Sequence, residues 1–288
     1  MRSWGRVSKD SHELFLSSVD GLQFGLEVFL LAGKGLRLVL YNTRYCTGNG
    51  WRYHLPFPFA GTLRNTCVRS GDVTGYIASL EPDIVGLVES DGGSWRCGGI
   101  SQPEDLAGRL GCQCIFSRKY RHSRLTERIP VLRHQGNAVV TGLPLSGTCV
   151  HRLRRGIKNL VIEATFDDFV FLLVHLSVGP GARRRQILEL ADIAGGRSKP
   201  VLLAGDFNTF GGDRELEPLL RAGFEKAGPA RCPTFPSSRP RLGLDMVLRS
   251  TGVSVTSFSV PEVIYSDHLP VICDFRIDSL QGEGGCGP

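Results

Sequence analysis

The chain has 288 residues, of which 41% are hydrophobic and 22% are charged, and its formal net charge is +6. This composition provides enough apolar side chains for a full core and excludes a disordered chain of low hydrophobicity. The length would allow two average domains, but layered sandwich enzymes of this size often form a single domain, so we expect one domain.

Residues 1–34 precede the first clear strand pattern, and we interpret them as an N-terminal extension. Arg2 and Arg6 would suit the basic start of a signal peptide, but Asp20 and Glu27 interrupt the apolar stretch that should follow. No run reaches the roughly 18 continuous apolar residues of a membrane span. We therefore expect a cytoplasmic protein without a transmembrane segment.

Strand patterns rich in β-branched and aliphatic residues recur along the chain. They lie at Leu36–Tyr41, Ile84–Val88, Asn137–Thr141, Asn159–Thr165, Val170–His175, Val201–Ala204, Met246–Leu248 and Val271–Phe275. Helical patterns bounded by Gly or Pro lie at Val73–Leu80, Pro103–Leu110, Arg183–Ala194 and Arg214–Ala222. This order predicts sheets covered by helices, an α/β or α+β sandwich, over residues 35–278. The Gly-rich residues 279–288 are interpreted as a flexible tail.

The nine cysteines are an odd number and lack the paired spacing of a metal site. Cys112 and Cys114 lie two residues apart, but no second Cys or His pair completes a zinc site. We predict buried free thiols in a reducing compartment.

The excess positive charge is concentrated in clusters of arginine. These clusters lie at Arg118–Arg124, Arg152–Arg155, Arg183–Arg185 and Arg231–Arg241. They favour anionic partners, because a guanidinium group can bind phosphate through two parallel hydrogen bonds. Solvated arginines without a partner are the alternative for each cluster.

The clearest local motif follows the apolar strand Val201–Ala204, where the chain continues as Gly205-Asp206-Phe207-Asn208. Because residues i and i+2 of a strand share a face, Asp206 and Asn208 are brought to one sheet edge. An Asx turn that caps the following helix is the alternative interpretation.

A second motif, Ser266-Asp267-His268-Leu269-Pro270, precedes the apolar strand Val271–Cys273. An Asp beside a His at this position can place an acid and an imidazole in one cleft, which suits general acid and base catalysis. A capped turn with a surface histidine is the alternative.

Three further apolar strands end in a polar residue, at Asn42, Glu89 and His175. One such strand end is ordinary, but five with the same form are hard to explain as caps. Carboxylate and amide oxygens are hard ligands suited to Mg²⁺, which commonly binds through one or two carboxylates and keeps its waters.

In this order the motifs resemble the endonuclease/exonuclease/phosphatase superfamily, whose members include deoxyribonuclease, abasic-site endonuclease, sphingomyelinase and inositol-polyphosphate phosphatase enzymes. The matching segments lie between residues 36 and 277 and include Leu40-Tyr41-Asn42, Gly86-Leu87-Val88-Glu89, Gly136-Asn137, Val174-His175, Gly205-Asp206-Phe207-Asn208, Thr234-Phe235-Pro236, Leu244-Asp245 and Ser266-Asp267-His268. The resemblance implies a four-layered α/β/β/α sandwich with two mainly antiparallel sheets face to face. It also implies Mg²⁺- or Mn²⁺-dependent hydrolysis of a phosphate ester at one rim.

The resemblance assigns three residues to the metal. Glu89 matches the metal-binding glutamate, and Asn42 and Asp267 are expected close to the metal or its waters. Because phosphoryl transfer depends on charge neutralisation and positioning, no nucleophilic Ser or Cys is needed.

The resemblance assigns five residues to catalysis. Asp206 matches the aspartate that positions or deprotonates the attacking water, and Asn208 matches the amide that holds the phosphate. His268 is expected to act as acid, base or charge stabiliser, oriented by Asp245. His175 matches a second histidine that contacts the phosphate or the leaving group.

Three residues are candidates for substrate binding. Arg44 stands where abasic-site enzymes have an aspartate, which counts against abasic-site repair. Arg44 and Arg155 are candidate phosphate contacts through their guanidinium groups, and plain structural arginines are the alternative. We expect Asn137 to brace the sheet edge near the site more than to act directly.

The substrate is left open by the sequence, because one fold carries different phosphate esters by changing its loops. The aromatic residues between Thr43 and Asp72 could equally stack on bases, contact a lipid or pack inward, and the basic loop Arg118–Arg133 has the same alternatives. Nucleic acid is the leading prediction, with a lipid headgroup or another small phosphate ester as the alternative. A catalytically inactive phosphate-binding module is disfavoured, because no matched polar position is replaced. We expect a monomer.

Overall fold

The computed structural model describes residues 15–17, 33–49, 63–120 and 129–278. Its strands are β1 (Phe15–Ser17), β2 (Leu36–Asn42), β3 (Ile84–Asp91), β4 (Gln113–Arg118), β5 (Gln135–Thr141), β6 (Gly147–Arg152), β7 (Leu160–Thr165), β8 (Val170–His175), β9 (Val201–Asp206), β10 (Glu225–Lys226), β11 (Asp245–Arg249), β12 (Val253–Ser259) and β13 (Val271–Ile277). The α-helices are α1 (Cys67–Ser79), α2 (Gln102–Leu110), α3 (Pro180–Gly195) and α4 (Glu217–Arg221).

The described strands form two sheets. One sheet has seven strands in the order β1-β4-β5-β3-β2-β13-β12, and the other has six in the order β10-β11-β9-β8-β7-β6. Neighbouring strands are antiparallel, except for the parallel pairs β2–β3 and β8–β9. The prediction of two mainly antiparallel sheets is confirmed.

The main core lies between the two sheets. Leu38 and Leu40 alternate along β2 and contribute to one buried cluster with Phe171 and Leu173 of β8, which belongs to the other sheet. Leu38 and Leu40 face the same side of the sheet because successive side chains of a strand point to opposite faces. Apolar residues at every second position of β2 therefore build the layer between the sheets.

The helices cover the outer faces of both sheets. Val39 of β2 clusters with Ile77 of α1 on one side, and Leu172 of β8 clusters with Leu190 of α3 on the other. Helix, sheet, sheet and helix follow one another through the domain, so the predicted α/β/β/α sandwich is confirmed. Among the described residues, no helix is long and apolar enough to cross a membrane.

Several elements differ from the prediction. The strands β1, β4, β6, β10 and β12 were not predicted. β1 lies inside the predicted extension, where Phe15 pairs with Phe116 of β4. The predicted helix Arg214–Ala222 divides into a 3-10 turn, Asp213–Leu216, and the short α4. The eight cysteines in the described ranges are free thiols.

The two parallel pairs determine where the site is built. The pairing of β2 with β3 ends with Asn42 opposite Val88, and the pairing of β8 with β9 ends with His175 opposite Asp206. Asp245, the first residue of β11, is also the register partner of Asp206. The carboxyl ends of these four strands therefore carry polar residues to one rim of the sandwich.

Gly205 allows β9 to approach β8 just before Asp206. Its φ is +155°, and a Cβ at this position would overlap the carbonyl oxygen of Val174. We predict that Gly205→Ala lowers the free energy of unfolding by about 2 kcal/mol or more. Urea unfolding measures this change. Gly108→Ala on α2 is the matched control: it meets no atom within 4 Å, so it should stabilise by about 0.5–1 kcal/mol. Equal effects of the two changes would contradict the steric argument.

Candidate active site

A cleft of about 460 Å³ opens at this rim of the sandwich. Seven of the residues predicted from the sequence line it: Asn42, Arg44, Glu89, Asp206, Asn208, Asp267 and His268. His175 and Asp245 are buried and contact Asp206 and His268 respectively. The structure therefore brings together nine of the eleven residues selected from the sequence.

Glu89 is turned into the cleft by an irregularity in β3. The pairing of β3 with β5 shifts register between Leu87 and Ser90, and Glu89 has a φ of +54°. The buried Asn137 accepts a hydrogen bond of 3.1 Å from the backbone N–H of Glu89. This hydrogen bond joins the side chain of Asn137 on β5 to the irregular part of β3.

Two lysines that sequence reasoning did not select face Glu89. The ammonium group of Lys158 lies 3.1 Å from Glu89 Oε1, and that of Lys119 lies 4.0 Å from it. Burial opposes the charge on Glu89, but the two ammonium groups outweigh it and hold the pKa of this carboxyl below its usual range. Glu89 is therefore an ionised carboxylate in a cleft that also presents cations.

The two lysines differ in their own pKa values. Burial lowers the pKa of Lys119 to about 8, despite the attraction of Glu89. Burial also disfavours the charge of Lys158, but the attraction of the Glu89 and Asp206 carboxylates raises its pKa. Lys158 is thus the more firmly protonated of the two.

Asp206 is held at the centre of the buried polar network. Its Oδ2 accepts a hydrogen bond of 3.0 Å from Asn42 Nδ2, and its Oδ1 accepts one of 3.0 Å from the backbone N–H of Asn208. The second bond is an Asx turn, but the next helical turn begins only at Asp213, so Asp206 does not cap it. Burial raises the pKa of Asp206 to about 6, against the attraction of His268.

Asn208 and His175 lie on either side of this carboxyl. Asn208 has a φ of +51°, and its Nδ2 donates to the carbonyl oxygen of Leu176 at 2.9 Å. His175 Nε2 lies 3.4 Å from Asp206 Oδ2 and 3.9 Å from Glu89 Oε1. Burial, with the positive charge of Lys158, lowers the pKa of His175 well below its usual value. The ring is therefore neutral, and neither contact is an ion pair.

Asp245 and His268 form a buried pair although they are distant in sequence. His268 Nδ1 donates to Asp245 Oδ2 at 2.7 Å, and the hydroxyl of Thr234 donates to the same oxygen at 2.6 Å. Burial would lower the pKa of His268, but the Asp245 carboxylate raises it to about 10. Thr234 thus fixes Asp245, and Asp245 fixes a protonated imidazole whose other nitrogen remains available.

Arg44 and Asp267 form an ion pair at the mouth of the cleft, with Arg44 Nη1 3.2 Å from Asp267 Oδ2. Arg44 begins the turn Arg44–Cys46, in which all three residues have positive φ. Its backbone N–H donates to Asn42 Oδ1 at 3.1 Å, which holds the turn against the end of β2. Burial raises the pKa of Asp267.

A comparison with known protein families matches residues 39–268 to the "Endonuclease/Exonuclease/phosphatase family". This match covers most of the chain and all the residues of the cleft. The chain belongs to the endonuclease/exonuclease/phosphatase family. The members of this family are phosphoesterase hydrolases, and they generally use divalent metals.

Solved structures of this family share the fold at low sequence identity. The family protein of Beutenbergia cavernae is 20% identical with a TM-score of 0.64, over 85% of this chain and 72% of that one. The human Nocturnin catalytic domain with bound sulfate is 19% identical with a TM-score of 0.60, over 84% and 94% of the two chains. A mannosyl-6-phosphatase of Bacteroides thetaiotaomicron is 15% identical with a TM-score of 0.59, over 83% and 99%.

Like Asn137, Arg155 is a predicted substrate residue that does not line the cleft. Its side chain is exposed, and its carbonyl oxygen accepts a hydrogen bond from Gln186 Nε2. Lys158, three residues later, lies in the cleft instead. Parts of the aromatic segment and of the basic loop, residues 50–62 and 121–128, lie outside the described residues.

The residues of the cleft fit the divalent metal of this family. Asp206, Asp245 and His268 each offer a ligand atom within 4.8 Å of the others. His268 is a poor ligand, however, because it is protonated and its Nδ1 donates to Asp245. Glu89 and Asp267 offer carboxylate oxygens on the open side of the cleft, the hard donors that Mg²⁺ prefers. Asn42 contacts Asp206 directly, so its position suits orientation of that carboxyl.

Proposed function

We propose that this protein is a divalent-metal-dependent phosphoesterase that hydrolyses phosphodiester bonds, with nucleic acid as its leading substrate class. One observation carries the proposal. Two groups with raised pKa values line one cleft: the Asp206 carboxyl, whose pKa of about 6 leaves it ionised at neutral pH, and the His268 imidazole, whose pKa of about 10 leaves it protonated. Near neutral pH this leaves a base and an acid together, as hydrolysis requires.

Asp206 is proposed as the group that accepts a proton from the attacking water. Asn42 Nδ2 and the N–H of Asn208 hold its two oxygens, so that the carboxylate keeps one orientation. The water oxygen bonds to phosphorus as its proton passes to Asp206. The phosphorus–oxygen bond to the leaving group then breaks, and the leaving oxygen keeps the electron pair. Protonated His268 stabilises the negative charge on this oxygen or donates a proton to it.

The positive groups of the cleft are proposed to bind the phosphate. Lys119, Lys158 and Arg44 line it together with His268. When bound, Mg²⁺ or Mn²⁺ supplies further neutralisation of the charge on the phosphate oxygens. Glu89 and Asp267 would hold the ion, with Asn42 and Asp206 beside it. Asn208 and His175 are proposed to contact the phosphate or the leaving group.

Nucleic acid is preferred because the cationic cleft lies in a chain with a formal charge of +6. A small phosphate ester or a lipid headgroup is the second candidate, since one neighbouring fold is that of a mannosyl-6-phosphatase. An inactive phosphate-binding module is less well supported, because the acid, the base and the oxygen ligands are all present.

We expect release of nitrophenol from bis(p-nitrophenyl) phosphate in Mg²⁺ or Mn²⁺. Asp206→Asn should lower the rate by about 10²-fold or more, while Asp192→Asn, an exposed change on α3, should not. Plasmid DNA, a single-stranded oligonucleotide, sphingomyelin and inositol phosphates then identify the substrate class. A folded protein that turns over none of these with either metal would overturn the proposal.

A further inference from the structure

A second depression, of about 580 Å³, lies beside the active-site cleft. We call it the arginine groove and define it by Phe210, Lys226, Gly228, Arg231, Arg241 and Phe258, which line it. Phe210 lines both the groove and the cleft and is 45% exposed, so one aromatic side chain separates the two. The groove contains two arginines of the Arg231–Arg241 cluster, for which the proposed chemistry has no role.

The charge of the arginine groove is unbalanced. Lys226 is neutralised by Asp213, whose carboxylate lies 2.9 Å from its ammonium group. Arg231 and Arg241 are exposed, and their guanidinium groups make no ion pair or hydrogen bond within the described residues. Two guanidinium groups of the groove are therefore free to receive an anion.

The segments that carry the two arginines are tied together. The backbone N–H groups of Thr234 and Phe235 both donate to the carbonyl oxygen of Leu242, and the N–H of Arg241 donates to that of Phe235. At the other side of the groove, a Cβ on Gly228 would lie 2.6 Å from the ring of Phe258. These contacts give the groove walls that are formed before a ligand arrives, which lowers the entropy cost of binding.

The groove also reaches the catalytic network. Asp245 lines it, while the Oδ2 of the same carboxylate holds His268. Thr234, which donates to Asp245, belongs to the segment that joins the two arginines. A substrate group in the groove would thus adjoin the residues proposed to act on a phosphate in the cleft.

We infer that the arginine groove binds a second phosphate group of the same substrate molecule, with Phe210 between the two phosphates. This inference rests on the proposed function, which places the first phosphate in the cleft. Phosphate is the fitting ligand, because a guanidinium group offers parallel N–H donors to two of its oxygens. The substrate is therefore a molecule with at least two phosphates, either a nucleic acid strand or a smaller bisphosphate.

The test compares two esters that differ by one phosphate: thymidine 5′-(p-nitrophenyl phosphate) and its 3′-phosphorylated form. We expect the second phosphate to raise kcat/KM about 10-fold or more through KM. Arg231→Ala combined with Arg241→Ala should abolish this preference. The kcat/KM of this double variant for the singly phosphorylated ester should stay within about twofold of the wild-type value. The matched control, Arg239→Ala with Arg276→Ala, removes the same charge from exposed positions outside the groove and should keep the preference.

A preference that survives in the Arg231/Arg241 variant, or that falls equally in the control variant, would overturn the inference. Absence of a preference in the wild type would overturn it as well, although turnover of both esters would leave the proposed function intact. If neither ester is turned over, the bis(p-nitrophenyl) phosphate assay decides the proposed function, and calorimetric binding of thymidine 3′,5′-bisphosphate against thymidine 5′-monophosphate tests the groove by itself. Propane-1,3-diyl bisphosphate and thymidine 3′,5′-bisphosphate are then compared as competitors. Equal competition indicates a small bisphosphate as the source of the second phosphate, and weaker competition by the propane compound indicates a nucleotide.

Discussion

Replacing Glu89 by glutamine is expected to remove the response to metal and lower turnover by about 10²-fold or more. The change keeps the shape of the side chain but removes the charge that two ammonium groups hold in place. Because these lysines keep Glu89 ionised, a metal at this carboxylate does not have to displace a proton from it. Turnover of bis(p-nitrophenyl) phosphate should likewise stop in chelator and return with added Mg²⁺ or Mn²⁺.

The control and a second readout separate metal binding from folding. Glu104→Gln on α2 removes one carboxylate outside the cleft and should leave the rate and its metal dependence unchanged. Titration of Mn²⁺ by electron paramagnetic resonance should show weaker binding to Glu89→Gln than to the wild type. Glu89→Asp keeps the charge and should retain part of this affinity. Full turnover in chelator, after exhaustive removal of metal from the wild type, would contradict the role given to Glu89.

Most buried strands of the fold, with the exception of β4, could be predicted from sequence, whereas the edge strands could not. β8 is buried along its whole length and therefore appears as a continuous apolar run. β6 and β12 lie at the ends of their sheets, half exposed and rich in polar residues, so their patterns resemble loops. β10 has only two residues, too few for any periodicity. Edge strands are defined by a neighbour's hydrogen bonds more than by their own side chains.

Sequence reasoning found polar residues at strand ends and missed the groups that approach them from loops. Glu89 and Asp206 follow apolar strands, so their positions carry a local pattern. Lys158 lies before β7, and Lys119 follows β4, a strand that was itself not predicted. The sequence did contain one indication of Lys119, because this residue lies inside the basic cluster Arg118–Arg124. The choice of Arg155 over Lys158 shows that a basic residue in a loop cannot be located from its neighbours alone.

Asp245→Asn is expected to lower kcat by about 10²-fold or more and to change KM little. The carboxylate holds His268 by a bond of 2.7 Å and raises its pKa to about 10, so the imidazole is protonated at neutral pH. Asparagine can still accept a hydrogen bond but supplies no charge to stabilise the imidazolium. Asp274→Asn, which breaks an ion pair with Arg37 outside the cleft, is the matched control and should retain turnover.

The same change should move the pH profile in a defined direction. The wild type should lose kcat/KM as the pH rises through about 8, where Lys119 deprotonates, and should show a second alkaline limb at about 10, where His268 deprotonates. Without the Asp245 carboxylate, the alkaline limb that reports His268 should move to lower pH by about one to three pH units. Because the folded pKa of His268 lies above the usual value of about 6.5, its contribution to stability is full below that pH and is lost as the pH approaches 10. This dependence should be reduced in Asp245→Asn.

A double-mutant cycle decides whether Asp245 and His268 act as one unit. His268→Ala should be at least as damaging as Asp245→Asn, since it removes the group that Asp245 serves. The double variant should lose much less than the product of the two single losses, because removing the imidazole leaves the carboxylate nothing to orient. Thermal unfolding must show that all three variants fold. Strictly multiplicative losses in kcat would mean that the 2.7 Å contact holds the rim together without taking part in catalysis.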